Sequence, residues 1–183
     1  MDSADDQRSD REIIARVRAG DAEAFRFLVV RHYPNTLRYA VRMLGNRQDA
    51  EEVAQDAFAR AYRFLASWDG GRSFDGWLFG ILVNCCRTSG ARRTRTEEAL
   101  VSYDVLEDAS AEPGAAHDRD EVQRALLRLP ALHREALLMK YVDDRTYEEI
   151  AQLTGTRVSA LKMRVKRARA QLESMLRRQS DPA

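Results

Sequence analysis

Gly155 lies between two apolar patterns of helical period near the C-terminal end of the chain, and this arrangement strongly constrains the fold. Before it, Ile150 and Ala151 form the inner face of a short helix. After it, apolar residues recur at spacings of three and four, at Val158, Leu161, Val165, Ala168 and Leu172. Glycine permits the sharp turn between the two patterns, because its backbone reaches conformations that other residues rarely adopt. The stretch Thr146–Arg169 therefore predicts a helix-turn-helix.

The second of these helices is anchored on one side only, so its opposite side faces outward. That side carries Ser159, Met163, Lys166 and Arg167, flanked by Lys162 and Arg164. An exposed basic ridge of this kind fits the major groove of DNA. A solvated face, or a calmodulin-like or membrane-surface helix, is the alternative for any basic amphipathic helix. The small Ala151 and the turn at Gly155 favour DNA, because a membrane-surface helix needs neither.

Length and composition allow one medium domain or two small ones. The chain has 183 residues, of which 44% are hydrophobic, and no apolar run reaches the roughly 18 residues that cross a bilayer. Its first residues are acidic and polar, unlike a signal peptide. We therefore expect a cytoplasmic protein without membrane insertion. Cys85 and Cys86 are adjacent, which disfavours a shared metal or an unstrained disulfide and predicts packing.

Charge is unevenly distributed, although the net charge is only +1. Arg87, Arg92, Arg93 and Arg95 lie close together, and the stretch from Arg157 to Arg178 is densely basic. Acidic residues dominate between Glu97 and Glu121. Two basic patches separated by an acidic connector predict two contacts with a polyanion.

Helical patterning covers most of the chain, and nothing indicates a strand. We expect Pro34 to interrupt or kink the helix that begins near Asp21. The stretch Asp49–Leu65 predicts a regular helix, with Asp49 and Glu52 at the spacing of a capping box. Periodicity is lost from Thr96 to Arg119 and then returns. The expected fold is all-α, with two small helical domains joined by a flexible acidic linker and the helix-turn-helix in the C-terminal domain.

Aromatic residues surround a glycine loop ahead of the arginine cluster. Trp68 and Phe74 bracket Asp69-Gly70-Gly71, and Trp77 follows. Aromatic rings beside a flexible loop, with arginines close behind, suit the capture of unstacked bases. The alternative is that these rings belong to the core, which we expect for Phe74 and Leu78 rather than for Trp68 and Trp77.

In this order and at this spacing, the motifs resemble those of bacterial RNA polymerase sigma factors of the extracytoplasmic-function group, over most of the chain from Arg11 to Arg177. In that family a stretch like Asp49–Phe58 docks on the clamp helices of the polymerase. A stretch like Ser67–Arg95 melts and reads the minus-ten promoter element, with Phe74, Trp77, Leu78 and Asn84 matching its pattern. A stretch like Leu129–Arg169 reads the minus-thirty-five element.

The resemblance implies three sets of site residues. Those facing polymerase are Glu52, Gln55 and Asp56. Those for the downstream element are Trp68, Phe74, Trp77, Asn84, Arg87, Arg92 and Arg93. Those for the upstream element are Arg157, Ser159, Lys162, Met163, Arg164, Lys166 and Arg167. The implied domains are residues 11–95 and 120–178, joined by a linker at 96–119.

The implied function is transcription initiation, with core RNA polymerase, promoter DNA and an anti-sigma factor as partners. No catalytic residue, metal site or cofactor is expected: the three histidines lie in unrelated contexts, and no phosphate loop or nucleophile motif is present. These absences also weigh against an enzyme such as a nucleic-acid hydrolase. The main rival is a stand-alone helix-turn-helix regulator, which would bind operator DNA without polymerase, usually as a symmetric dimer.

The recognition helix departs from the family pattern at its start. Ser159-Ala160-Leu161 replaces the usual Gly-Thr-Val, and Arg157 stands where a proline is common. Loss of the hydroxyl at Ala160 removes a phosphate contact, which Ser159 or Arg157 could replace. This departure from the family pattern affects which promoter sequence is read more than it affects the binding of DNA itself.

Overall fold

The computed structural model describes residues 9–96 and 113–180, with side chains placed for residues 9–90 and 120–178. Within those ranges the chain forms eight α-helices and two short 3-10 turns, with no strand. The all-α fold class is therefore confirmed. The described residues group into two compact units, one drawn from Met1–Ala40 and Gln48–Glu98, the other from Val41–Arg47 and Ala99–Ala183. Residues 97–112, which include most of the predicted linker, lie outside the described residues.

The first unit begins with helix α1, Asp10–Arg18, which starts at a capping box. The Ser9 hydroxyl accepts the Glu12 N–H at 3.4 Å, and the Glu12 carboxylate accepts the Ser9 N–H at 2.7 Å. Ile13 and Ile14 on its inner face are fully buried. A 3-10 turn, Ala22–Ala24, then leads into the next helix.

Helix α2, Phe25–Leu44, runs through Pro34 as one element. The predicted interruption at Pro34 is therefore wrong. Proline removes the N–H that would bond to the carbonyl of Val30, a residue that is 66% exposed. Buried residues on both sides of the proline, including Leu28 and Tyr39, hold the helix together through packing.

Helix α3, Arg47–Arg63, is followed by a 3-10 turn, Leu65–Ser67, and by helix α4, Phe74–Thr96. Because α3 begins at Arg47, the predicted capping box at Asp49 is wrong. Asp49 instead lies in the first turn, where a negative charge favours the positive end of the helix dipole. The apolar spacing also predicts that Val53, Ala57, Ala61 and Phe64 share one buried face. The first three are buried, but Phe64 lies just beyond the end of α3 and is 53% exposed, so the prediction is wrong for Phe64.

One apolar core joins these helices. It contains side chains from α1 to α4 and from the loop before α4, namely Ile13, Ile14, Ala24, Phe25, Leu28, Phe58, Ala61, Leu65, Trp68, Phe74 and Leu78. The loop before α4 is therefore packed into the body of the first unit through its aromatic side chains.

The second unit contains four further helices: α5, Pro113–Leu127; α6, Ala131–Tyr141; α7, Tyr147–Thr154; and α8, Val158–Ser180. Helix α5 starts at Pro113, inside the segment predicted as linker. Proline suits the first position of a helix, because its missing N–H has no partner there in any case. The core includes Leu138, Ile150, Leu161, Val165 and Ala168, each at most 2% exposed.

Candidate nucleic-acid interface

The helix-turn-helix consists of α7, a turn at Gly155 and α8. Thr146 and Glu149 form a capping box: the Thr146 hydroxyl accepts the Glu149 N–H at 3.2 Å, and the Glu149 carboxylate accepts the Thr146 N–H at 2.7 Å. These hydrogen bonds hold the pKa of Glu149 below its ordinary value. Gly155 has a φ of 65°, the left-handed conformation that commonly ends helices. The turn predicted at this glycine is confirmed.

Helix α8 is anchored along one side and exposed along the other. Leu161, Val165 and Ala168 are buried, while Val158 and Leu172 at the ends of the predicted stripe are partly buried. The predicted upstream-element residues lie away from this stripe: Arg157, Ser159, Lys162, Met163, Lys166 and Arg167 are exposed, and Arg164 is partly buried. This placement leaves a basic ridge open to a partner along the first turns of the helix.

Trp68 occupies a different environment from the one predicted. It is only 5% exposed and belongs to the core of the first unit, so the expectation of an available ring is wrong. The Arg18 guanidinium lies 5.7 Å from its ring centroid. The indole N–H has no hydrogen-bond partner within the described residues. Phe74, at 1% exposed, is buried as expected for the core alternative.

Arg18 holds the loop before α4 against the core of the first unit. Its guanidinium donates to the backbone carbonyls of Leu65 at 2.8 Å and Ala66 at 3.3 Å, and also to that of Trp68. Arg11 adds a hydrogen bond to the carbonyl of Gly70 at 2.8 Å. These arginines were absent from the sequence-based site. No local pattern could identify them, because both partners of each contact are distant in the chain.

The remaining downstream-element residues lie along α4. Trp77 is partly buried and packs on the core, with its ring centroid 5.9 Å from that of Phe74. Asn84 is exposed and Arg87 is partly exposed. Helix α4 continues through Arg92 and Arg93, whose side chains lie outside the described ones. The structure thus brings Phe74 and Trp77 together at the start of α4 and places Asn84 further along the same helix.

His32 lies beneath the start of α4. Its ring centroid is 5.3 Å from that of Phe74, and its Nδ1 is 3.6 Å from Asp75 Oδ1. His32 is buried. The carboxylates near it were not anticipated, because Asp75 is remote from His32 in the chain.

The predicted polymerase-facing residues lie on the outer side of α3, where Glu52, Gln55 and Asp56 are all exposed. Asp56 is not an isolated charge: its carboxylate lies 2.8 Å from the Arg60 guanidinium. Cys85 and Cys86 are both buried. Burial, reinforced by the charge of Asp56, raises the pKa of Cys85 to about 11, which keeps the thiol protonated near neutral pH.

Among the side chains placed in the structure, no three metal-binding residues come together in a possible ion site. The described helices also include none with the length and apolar content needed to cross a membrane.

Comparison with known protein families identifies both units. Residues 28–96 match the family Sigma-70 region 2, and residues 119–172 match the family Sigma-70, region 4. The first match covers α3 and α4 with their loop, and the second covers the helix-turn-helix.

Similar proteins of known type span almost the whole chain. The RNA polymerase sigma-H factor of Pseudomonas aeruginosa is 32% identical over 93% of this chain and 95% of its own length. The ECF RNA polymerase sigma factor SigW of Bacillus subtilis is 30% identical over 90% of this chain and 95% of its own.

Solved structures give the same result. The sigma factor RpoE from Bartonella quintana, in complex with the anti-sigma factor NepR, matches with a TM-score of 0.71 and 26% identity, over 84% of this chain and 96% of that one. CnrH, in complex with the cytosolic domain of CnrY, matches with a TM-score of 0.68 and 28% identity, over 94% of this chain and 99% of that one.

Proposed function

Given that this chain belongs to the extracytoplasmic-function group of RNA polymerase sigma factors and directs promoter recognition, we propose a division of that work between its two units. The first unit, within residues 11–95, binds core polymerase and the minus-ten element. The second, within residues 120–178, reads the minus-thirty-five element.

The observation that carries this proposal is the one-sided anchoring of α8. Burial of Leu161, Val165 and Ala168 fixes the orientation of the helix, so its exposed side has a defined direction. Met163 is 50% exposed although it is apolar, and Arg167 is exposed one turn further on. An apolar side chain at such a site suits contact with a thymine methyl group, and an arginine suits guanine. We assign Lys162, Met163, Lys166 and Arg167 to bases, and Arg157 and Arg164 to phosphates.

For the minus-ten element, burial divides the candidates into two groups. Trp77, Asn84 and Arg87 retain exposed surface and contact DNA in this proposal. Arg92 and Arg93, which follow on the same helix, are included on the family resemblance alone. Trp68 and Phe74 are buried, so in the free protein they support the loop from beneath. Either ring contacts a base only if the loop first opens.

The outer side of α3 binds core polymerase in this proposal. Glu52, Gln55 and Asp56 lie off the buried face of the helix, so they present polar groups without being required for folding. Charged residues at the rim of an interface guide association and orientation. The phosphodiester chemistry belongs to the polymerase, and the chain contributes no catalytic group.

An anti-sigma factor is a further partner in this proposal. The solved relatives from Bartonella quintana and CnrH are each bound to a second protein, an anti-sigma factor and the cytosolic domain of CnrY respectively. We place the chain in the cytoplasm, where core polymerase and promoter DNA are available.

Run-off transcription tests the proposed function. Core polymerase should initiate at defined sites on genomic fragments, including the DNA upstream of the chain's own coding sequence, only when the chain is added. Core polymerase alone is the control. A chain that binds operator DNA as a dimer but gives no polymerase-dependent start sites would be a stand-alone regulator.

A further inference from the structure

Helix α1 contacts the backbone of the connecting loop, residues 64–73, which joins α3 to α4. Arg18 donates to three carbonyls within residues 65–68, and Arg11 donates to the carbonyl of Gly70 at 2.8 Å. The two arginines are about two helical turns apart, so they lie on the same side of α1. Helix α1 precedes residues 28–96, the stretch that matches Sigma-70 region 2, so that match gives it no role.

The position of α1 is fixed by contacts that do not involve the connecting loop. Ile13 and Ile14 are fully buried in the core of the first unit. At the start of the helix, Asp10 lies 2.9 Å from His32 and 2.7 Å from Arg31, both on α2. The two arginines that contact the loop are themselves exposed, so replacing either one removes hydrogen bonds and little core packing. Helix α1 is therefore a firm support from which these arginines reach the loop.

The connecting loop has few bonds of its own that fix its shape. Asp69 Oδ1 accepts the N–H of Gly71 at 2.8 Å, which closes a tight turn. Gly70, at the centre of that turn, has a φ of 74°, in the left-handed region that favours glycine. The hydrogen bond from Arg11 to the carbonyl of Gly70 holds the same turn from outside. The shape of the loop thus depends on α1 as well as on its local sequence.

The end of the connecting loop sets the start of α4. The hydroxyl of Ser73 accepts the N–H of Gly76 at 3.1 Å, and the carbonyl of Ser73 accepts the N–H of Trp77 at 3.1 Å. Trp77 also packs on the core, with its ring centroid 5.9 Å from that of Phe74. Because Trp77 lies one helical turn after Ser73, a change in the path of the loop moves the ring that is proposed to receive a base.

We propose that Arg11 and Arg18 are positioning residues for promoter melting. By binding carbonyls of the connecting loop, they keep the start of α4 in the arrangement in which Trp77 receives an unpaired base of the minus-ten element. Neither arginine needs to touch DNA for this role. The inference rests on the proposed reading of the minus-ten element by the first unit.

Open-complex formation by the full-length chain with core polymerase tests this role, on a promoter identified by run-off transcription. Permanganate reactivity of unpaired thymines should fall about tenfold for Arg18→Gln and about threefold for Arg11→Gln, which loses a single hydrogen bond. On a template mispaired across the minus-ten element, transcription by both variants should return to within about twofold of wild type, because the cost of unpairing has been removed.

Arg26→Gln is the matched control. Arg26 is an exposed arginine of the same unit, and in the described part of the chain its guanidinium contacts Glu23 and Phe27 rather than the connecting loop. It loses the same charge, so it should melt the promoter like wild type. Equal effects of Arg26→Gln and Arg18→Gln would show that net charge matters rather than the position of the loop, and would overturn the proposal.

A double variant tests whether Arg18 acts through Trp77. If it does, Arg18→Gln combined with Trp77→Ala should melt the promoter within about twofold of Trp77→Ala, because coupled residues are not additive. Losses that multiply would show that the two residues act independently, and would contradict the positioning role.

Two other roles for the arginines predict different results. A direct phosphate contact would weaken binding of the polymerase complex to the mispaired template and lower the salt slope by about 0.9 for each arginine removed. A purely structural role would reduce transcription equally on duplex and mispaired templates, together with a lower thermal unfolding temperature. Either result would overturn the proposal. If Arg18→Gln does not fold, Arg11→Gln decides, because it removes one exposed hydrogen bond.

The wild-type chain separates this inference from the proposed function. Normal melting by both Arg11→Gln and Arg18→Gln, with a wild type that initiates, contradicts the positioning role and leaves the proposed function standing. Absence of melting and initiation by the wild-type chain with core polymerase contradicts the proposed function itself.

Discussion

Asp10 and His32 form a partly buried ion pair that joins α1 to α2: Asp10 Oδ2 lies 2.9 Å from His32 Nε2. The other oxygen of Asp10 lies 2.7 Å from the Arg31 guanidinium, and Asp75 approaches the far side of the imidazole. Burial lowers the pKa of His32, but the hydrogen bonds and charges of Asp10 and Asp75 outweigh it and raise the pKa to about 9. His32 is therefore charged near neutral pH.

Stability should fall in mildly alkaline solution because of this pair. A histidine whose folded pKa of about 9 exceeds its unfolded value of 6.5 stabilises the fold below about pH 6.5, and this contribution is lost as the pH rises through about 9. The shift corresponds to at most about 3 kcal/mol. Thermal unfolding of the wild type and His32→Gln should differ most at about pH 6 and converge above about pH 9. A constant difference across that range would contradict the charged pair.

Substitutions on α8 should separate base contacts from phosphate contacts. Arg167→Ala should cost about 1 to 3 kcal/mol on the preferred upstream element and little on other sequences. Arg157→Ala should weaken binding to all sequences alike and lower the salt slope by about one. The measurement is competition binding of the polymerase complex. Equal losses for Arg167→Ala on specific and random DNA would exclude it as a base reader.

Reversal of charge on the outer side of α3 should abolish polymerase binding while the chain stays folded. Asp56→Arg removes an exposed carboxylate, and also breaks its pair with Arg60. The control is the double exchange Asp56→Arg with Arg60→Asp, which restores an ion pair at the same helical spacing. A pull-down with core polymerase and circular dichroism together test the prediction. Retained binding by a folded Asp56→Arg chain would place the interface elsewhere.

The two tryptophans should behave differently when truncated. Trp68→Ala should lower stability by about 3 to 5 kcal/mol, the usual loss for a buried large aromatic side chain, as measured by denaturant unfolding. Trp77→Ala should cost less, because Trp77 is only partly buried. Trp68→Phe should be mild, because it also removes the unpaired indole N–H.

Trp77→Ala should nevertheless impair promoter melting, because stacking of an unpaired base on an aromatic ring stabilises the melted DNA by about 1 to 3 kcal/mol per base. Permanganate footprinting should show recruitment without melting, and a template mispaired across the minus-ten element should restore transcription. If Trp77→Ala melts the duplex normally, strand capture does not depend on this ring.

The sequence predicted the helix-turn-helix well because its signals are local. The apolar spacing through Leu161 and Val165 and the turn at Gly155 each act within a few residues. The burial of Trp68 could not be predicted in this way, because it depends on Arg18 and on a core built from distant helices. The prediction that Pro34 interrupts the helix was wrong for a related reason. Packing of buried residues on both sides of Pro34 overrides the local tendency of proline to break a helix.

The attachment of the loop to Arg18 also has a consequence for the order of folding. The arginine and the carbonyls that it binds are separated by 47 to 50 residues, so their contacts form only after a long segment of chain has closed. We therefore expect the amide protons of the loop to exchange faster than those of the surrounding helices, through openings that leave α1 and α4 folded. A loop that opens separately from its helices could expose Trp68 to a DNA strand without unfolding the unit.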